Sequence, residues 1–213
     1  MGRNGSTRDF EAPLANLLVG TCELQVYSGH KVYLSVVLDA YSRVILQFIA
    51  SLENNEGVVL NMVDKVVENL QRPATIYFCQ RGGYKNKIYQ EYIESQPMLK
   101  APTSTSYISN YINSFFARYL EFSFARGGFE APTFDDFFET VKSYVDLYNY
   151  DFPHASIGRR FAMCVFNYGL PKGKRRSSGV VAYTEEQMIE IRAKAQRLRE
   201  QGVPERSIAE PRI

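Results

Sequence analysis

The chain has 213 residues, of which 45% are hydrophobic and 23% are charged, so it can bury a substantial core and lacks the composition of a disordered protein. No apolar run reaches the roughly 18 residues of a membrane span, and no charged-then-apolar leader opens the chain, so we expect a cytoplasmic protein without a membrane partner. Two histidines and three cysteines without paired spacing argue against a zinc site, a disulfide framework and a serine–histidine triad.

The N-terminal quarter of the chain predicts an antiparallel meander. Residues 1–16 lack periodicity and are typical of a tag or lead-in. Three β-rich runs follow, over 17–27, 32–40 and 44–52. The links between these runs are short, and short links join antiparallel neighbours, so the three strands are expected to pair in sequence order.

The middle of the chain predicts two helices separated by a strand. Apolar residues at helical spacing indicate a helix over 54–71, and a shorter helix is predicted over 86–96. The run between them, over 74–79, is typical of a buried strand. A helical crossover of this kind allows the strand to join the meander in a single sheet.

Two long helices are predicted next, over 106–124 and 131–150. Aromatic residues nearly encircle the first of them. Most of these rings belong in a core, but a helix that is apolar all round must be covered on both sides, so a subunit interface is a second interpretation. Thr133 is the predicted N-cap of the second helix. The full order, βββ-α-β-α-(β)-α-α, is typical of an α/β fold.

The C-terminal part of the chain is strongly basic. Of the 25 lysine and arginine residues, 12 lie from Arg159 onward, and the segment "KGKRR" over 172–176 is the densest. We interpret 169–183 as a basic linker and 184–213 as a C-terminal helix and tail, with the helix over 184–201. A cluster of this kind suits contact with phosphate, but a solvated linker explains it equally well.

Four strings of the sequence together resemble the integrase-core domain of bacterial insertion-sequence transposases, which is related to retroviral integrases. "KVYLSVVLDAYSRVIL" (31–46) is similar to its second and third strands, and "QRGGY" (80–84) to its Asp-Arg-Gly-Ser loop. "SNYINSFF" (109–116) is similar to its Asp-Asn-Ala-x-x-Glu-Ser-Phe-Phe helix, and "YNYDFPHASIG" (148–158) to its closing Tyr-Asn-x-x-Arg-Pro-His-x-x-Leu-Gly signature. The resemblance implies an integrase-core-like domain over 17–168. Its fold would be RNase H-like: an antiparallel three-strand meander plus parallel strands, flanked by helices.

The resemblance also implies a site for two magnesium ions, which such enzymes hold with three carboxylates. Paired hard cations about 4 Å apart need anionic oxygen ligands. The matching positions here are Gly20 on the first strand, Gln80 after the fourth strand and Asn113 on the long helix. None of the three is an acid, so we expect no metal cofactor and no intact catalytic triad. Phe152 likewise replaces the arginine of the closing signature.

Three functions remain open at this point. The first is a transposase or integrase homologue that has lost metal-dependent strand transfer and acts in DNA binding or assembly. The second is an active DNA-integrating enzyme, in which Glu23, Asp39 and Glu121, or a partner subunit, rebuild the site. The third is a protein-interaction scaffold without a nucleic-acid role.

We expect weak, largely sequence-independent DNA binding and a homodimer. The candidate phosphate-binding cations are Arg81, Arg159, Arg160, Lys172, Lys174, Arg175 and Arg176. His154 is interpreted as a structural residue that makes a hydrogen bond near the last predicted core helix. Cys22 and Cys79 are expected to be free thiols on adjacent strands.

Overall fold

The structure is a computed structural model. It describes residues 10, 12–26, 30–79, 86–103, 109–125 and 133–169. The predicted lead-in is therefore described only in part. The basic segment from residue 170 and the predicted helix over 184–201 lie outside the described residues.

A mixed five-stranded sheet forms the centre of the fold. Its strands are β1 (Asn16–Val26), β2 (His30–Asp39), β3 (Ile45–Ser51), β4 (Ala74–Phe78) and β5 (Leu99–Lys100). The spatial order is β3-β2-β1-β4-β5; the β1–β2 and β2–β3 pairs are antiparallel, whereas β1–β4 and β4–β5 are parallel. The predicted meander and its parallel extension are both confirmed.

The described residues form five α-helices. They are α1 (Glu56–Val67), α2 (Lys87–Ser95), α3 (Ser109–Ala125), α4 (Phe134–Tyr150) and α5 (Ala162–Tyr168). The first four agree with the predicted helices to within a few residues at each end. The short α5 and the small antiparallel pair β6 (Pro153–His154) and β7 (Arg160–Phe161) were not predicted, because two-residue strands carry no readable periodicity.

Side-chain caps define the helix starts. Asn55 accepts a 2.7 Å hydrogen bond from the Gly57 amide at the start of α1, and Asn86 accepts one of 2.9 Å from the Ile88 amide at the start of α2. At α4, the predicted cap is confirmed because the Thr133 hydroxyl accepts from the Asp136 amide at 3.1 Å. Each cap satisfies an amide that the helix itself leaves without a partner.

Alternation along the strands produces an apolar layer between the sheet and α1. Leu17 and Val19 of β1 share this layer with Ile76 and Phe78 of β4. Helix α1 contributes four buried residues at helical spacing, Val59, Met62, Val63 and Val66. The Phe78 ring also stacks on Tyr89 of α2, with centroids 4.0 Å apart. The buried face of α1 is thus matched to the odd-numbered face of β1.

Helix α3 buries most of its aromatic surface within this chain. Phe115, Phe116 and Tyr119 are buried together with Ile112, whereas Phe124 keeps 67% of its surface exposed. The core interpretation of the aromatic helix is therefore correct for the three buried rings. Phe124 retains the exposure on which the interface interpretation depends.

The described residues divide into two compact units. One contains the described residues of 10–41 and 45–138, and the other contains 42–44 with 139–169. The five-stranded sheet and α1–α3 lie in the first unit, whereas β6, β7 and α5 lie in the second. Across the described ranges, no helix combines the length and apolar character that a membrane crossing requires.

Candidate functional site

Parallel pairing of β1 with β4 brings Cys79, the residue before the second predicted site position, beside the first position, Gly20. Val19 is in register with Phe78, and the Cys79 amide donates a 2.7 Å hydrogen bond to the Val19 carbonyl. Cys79 is thus beside Gly20, the first predicted carboxylate position. The second position, Gln80, follows Cys79 directly in the chain; Gln80 and Arg81 themselves lie outside the described residues.

Helix α3 closes over Gly20 from one face of the sheet. A Cβ atom built on Gly20 would lie 2.8 Å from Cδ1, 3.1 Å from Cγ1 and 3.2 Å from Cγ2 of Ile112. Asn113, the third predicted position, is the next residue of the helix and is exposed. The fold therefore brings Ile112, the residue before the third position, against the first position, where its branched aliphatic side chain occupies the space beside Gly20.

The groups around Gly20 are apolar or weakly acidic. Gly20 is paired in register with Val36 of β2, which is fully buried. Burial raises the pKa of the Cys79 thiol to about 12. The pKa of the Cys22 thiol, two residues along β1, is also raised, first by burial and then by the Glu23 charge. A medium that disfavours thiolates also disfavours an ionised carboxylate.

Gly20 and Asn113 do not supply the anionic ligands that a pair of magnesium ions needs. Gly20 supplies no side-chain ligand atom, and the Ile112 side chain occupies the space where a carboxylate would begin. Asn113 offers a neutral amide, which does not offset cation charge. Among the residues that the structure describes, no group of three His, Cys, Asp or Glu side chains is placed to hold a metal ion.

The alternative acids are dispersed. Asp39 is fully buried, and its Oδ1 accepts a 2.9 Å hydrogen bond from the Leu14 amide, which fixes the approach to β1. Glu23 forms a 2.7 Å ion pair with Lys31, and its hydrogen bond to Lys31 lowers the pKa of the Glu23 carboxyl. Asp39 is in register with Leu17, six residues before Glu23, so the two acids are roughly 20 Å apart along the strand direction.

Glu121 is also displaced from the region around Gly20. It is exposed on α3 and follows Asn113 by eight residues, which is about 12 Å along a helix axis. Glu23 lies on the face of β1 opposite to Gly20, as strand alternation predicts. Within the described chain, these acids do not converge on one another or on Gly20.

In the second unit, the closing signature forms a compact turn. The His154 ring is buried, with Nε2 3.0 Å from the Tyr148 carbonyl oxygen and its edge against the Tyr148 ring. The expected structural role of His154 is therefore confirmed.

Phe152, at the signature's arginine position, packs edge-on against Tyr144 at 6.1 Å between centroids. Arg43 is buried and donates from Nε to the Ser156 hydroxyl at 3.1 Å.

The two described candidate cations differ in how available they are. Arg159 is exposed in a backbone conformation with φ of 59°, and its amide donates to the His154 carbonyl at 2.8 Å. Arg160 is half-buried and donates from Nη1 to the Ile157 carbonyl at 3.1 Å. The Arg160 guanidinium also lies against Gly158, whose φ is 75°. The remaining predicted cations, Lys172, Lys174, Arg175 and Arg176, lie outside the described residues.

The sequence did not identify Ile112 as part of this site. Its place in an apolar helical pattern indicates burial, but the pattern does not say which strand residue Ile112 meets. A glycine inside a strand, at a position where a carboxylate was expected, indicates that a neighbouring side chain packs close to the backbone there. The identity of that neighbour depends on how α3 lies across β1, which is a long-range property of the fold.

The sheet order, its mixed pairing and the flanking helices confirm the predicted RNase H-like α/β fold. No family model and no curated protein matches the chain. The simian T-cell lymphotropic virus intasome, solved in complex with the PP2A regulatory subunit B56 gamma, has the same fold with a TM-score of 0.58 and 12% identity. That match covers 84% of this chain and 63% of the intasome chain.

Two structures of the HTLV-2 integrase catalytic core domain in complex with magnesium, in trimeric and dimeric forms, are also similar. Both have TM-scores of 0.48 and 14% identity, and cover 65% of this chain and 87% or 88% of theirs. Only the fold is shown by the likeness to solved structures, and it is carried by the intasome, at 12% identity.

Proposed function

We propose that this protein is a transposase/integrase-core homologue that does not carry out metal-dependent strand transfer and acts in DNA binding or assembly. The observation that carries the proposal is the packing of Ile112 against Gly20, where the resemblance assigns a metal-binding carboxylate. Strand transfer by two metals needs anionic ligands that hold the attacking and leaving oxygens between the cations. Gly20, Gln80 and Asn113 supply no negative charge.

A plasmid assay tests the chemical half of the proposal. Supercoiled DNA and a labelled duplex are incubated with the full chain in Mg²⁺ or Mn²⁺, and nicked, linear and joined products are quantified. We expect no product above the metal-free control. Cleavage that requires the metal and disappears in a Glu23→Gln, Asp39→Asn or Glu121→Gln variant would instead support the active-enzyme alternative.

The DNA-binding half is supported by charge. Arg159 is exposed at the surface, and five of the other candidate cations, Arg81 and those of 172–176, are close in sequence to glycine. Cations that neutralise phosphates release condensed counterions, so log affinity falls with log salt at about 0.9 per phosphate neutralised. For such sequence-independent binding, we expect dissociation constants of roughly 10⁻⁴ to 10⁻⁶ M.

A gel-shift titration at two salt concentrations tests this binding. The variant changes Lys172, Lys174, Arg175 and Arg176 to alanine, and should lower both affinity and salt slope. The matched control changes four exposed lysines on other parts of the chain to alanine and so removes the same amount of positive charge: Lys65, Lys87, Lys100 and Lys142. If the two variants bind alike, or the parent ignores DNA at low salt, the protein-interaction scaffold is favoured.

Assembly is the other part of the proposal. The intasome with the same fold was solved in complex with the PP2A regulatory subunit B56 gamma, and this association supports a core domain that works in an assembly. The exposed Phe124 on α3 provides a specific surface at which association of two copies is proposed.

A further inference from the structure

We infer that Ile112 has converted the first carboxylate position into a packing contact that joins β1 to α3, so that restoring acids at positions 20, 80 and 113 does not rebuild a metal site until Ile112 is shortened. This inference deepens the proposed loss of metal chemistry and rests on it. As a direct consequence, the packing of Ile112 prevents metal binding at this site in addition to the lack of negatively charged ligands.

The geometry supports the closure. All three outer carbons of Ile112 lie between 2.8 and 3.2 Å from a Cβ position on Gly20. A real Cβ atom essentially never lies as close to another atom as it would to Cδ1, and the other two distances are tighter than nine in ten real contacts, so any larger residue at position 20 requires Ile112 to shift. Backbone conformation does not require the glycine, because Gly20 is in the middle of β1 and is not among the residues with positive φ.

The surroundings leave Ile112 little room to give way. Its side chain has 1% exposure, and its helix neighbours Phe115 and Phe116 are buried as well. On the sheet, Val36 is fully buried beside Gly20. Close-packed interiors resist added volume, because inserting even one methyl group displaces several neighbours.

A charge at position 20 meets a second obstacle. The half-buried Cys79, which directly follows β4, lies beside Gly20, because its amide donates to the Val19 carbonyl at 2.7 Å. Placing an aspartate among Val36, Cys79 and Ile112 would desolvate the carboxylate, and none of these three side chains carries an opposite charge to pair with it. Shortening Ile112 removes the steric contact and also opens space that solvent or a cation can enter.

A double-mutant cycle tests the contact without reference to metal or DNA. The variants are Gly20→Ala, Ile112→Ala and the double variant, and the readout is the urea midpoint of unfolding for each. We expect Gly20→Ala to lower the midpoint in the parent and to leave it unchanged or raise it in the Ile112→Ala background, because the added methyl then fills a cavity. Equal effects in both backgrounds, or no effect in the parent, would overturn the inference.

A second experiment tests the latent site. The triple variant Gly20→Asp/Gln80→Asp/Asn113→Glu is compared with the same variant carrying Ile112→Ala, and Mn²⁺ binding is followed by calorimetry and thermal shift. We expect Mn²⁺ to bind only the quadruple variant. Binding by the triple variant as tight as by the quadruple, or a folded quadruple variant that ignores Mn²⁺, would contradict the closure.

The outcomes separate this inference from the proposed function. Cleavage of DNA by the unmodified chain would refute the lost chemistry whatever the cycle shows. If the effects of Gly20→Ala and Ile112→Ala on the urea midpoint are additive and the unmodified chain does not cleave DNA, only the role of Ile112 is refuted. If the triple or quadruple variant fails to fold, as judged by circular dichroism, the conservative alanine cycle still decides the inference.

Discussion

At the scale of single residues, the interior beside β1 disfavours charge. Burial raises the pKa of Cys79 to about 12 and that of Cys22 in the same direction. None of Cys22, Cys79 and Cys164 is in a disulfide bond. The thiolate is the reactive form of cysteine, so reactivity follows the pKa.

Alkylation should therefore distinguish folded from unfolded Cys79. At pH 8.5, we expect iodoacetamide to modify Cys79 at least about tenfold more slowly in the native protein than in urea, because little thiolate is present. Mass spectrometry of the peptide that contains Cys79, sampled over time, gives both rates. Equal rates in the two states would show that the thiol is not protected.

A tyrosine hydroxyl joins α1 to α2. Tyr92 donates a 2.6 Å hydrogen bond to Oδ1 of Asp64, and the pKa of Tyr92 is raised, first by burial and then by Asp64. A raised pKa contributes stability below the unfolded value near 10, and that stability is lost as pH rises further.

We expect Tyr92→Phe to lower the free energy of unfolding by about 1 kcal/mol at pH 7. The difference between parent and variant should shrink above pH 10, because the unfolded parent ionises there and the variant has no hydroxyl to ionise. Urea unfolding at pH 7, 9 and 10.5 measures the trend. Tyr168→Phe, at a more exposed ring, is the matched control, and an equal effect from it would contradict the role of the Asp64 bond.

At the scale of elements, local sequence signals were enough to predict where a helix starts if it begins at a side-chain cap. Asn55 and Asn86 accept hydrogen bonds from amides of their helices, and the predicted cap Thr133 does the same. Acids in the first turn add a favourable interaction with the helix dipole in α1 and α4. These contacts are short-range, so the sequence shows them directly.

The cap of α1 predicts a local stability difference. Asn55→Ala should lower the free energy of unfolding by about 1 kcal/mol, because it leaves the Gly57 amide without its 2.7 Å acceptor. Asn54→Ala, at the exposed neighbouring asparagine, is the control and should change stability by less than about 0.5 kcal/mol. Thermal unfolding by circular dichroism compares the two, and equal losses would rule out a specific cap.

At the scale of the whole molecule, exposed apolar surface bears on association. Phe124 on α3 keeps 67% of its surface exposed, and Leu52 after β3 keeps 58%. Large apolar side chains at an interface contribute favourably to the free energy of association, because association removes them from water. Only Phe124 belongs to the aromatic helix on which the expected homodimer depends.

We expect the protein to form a homodimer that Phe124→Asp weakens. Light scattering coupled to size exclusion, over a range of protein concentrations, gives the mass of each variant. Leu52→Asp is a matched control with similar exposure on another element, and should keep the mass of the parent. A parent that is monomeric at high concentration, or a dimer lost equally in both variants, would contradict the proposed surface.

Much of the fold was predictable from the sequence because its signals are local. The strand pattern of β1, β2 and β3, with short links, required an antiparallel meander, and helical spacing identified α1 to α4. Short elements were missed: β6, β7 and α5 depend on how the closing signature folds back on itself. Two-residue strands have no period to detect.

The candidate site was likewise predictable from the sequence only in part. The sequence by itself determined that positions 20, 80 and 113 carry no acid, because residue identity sets charge whatever the fold. Only the tertiary structure decided that Ile112 occupies the space beside Gly20 and that Asp39 and Glu23 stand far apart on the sheet. The physical reason is that charge belongs to a residue, whereas excluded volume and distance belong to pairs of residues that long-range packing brings together.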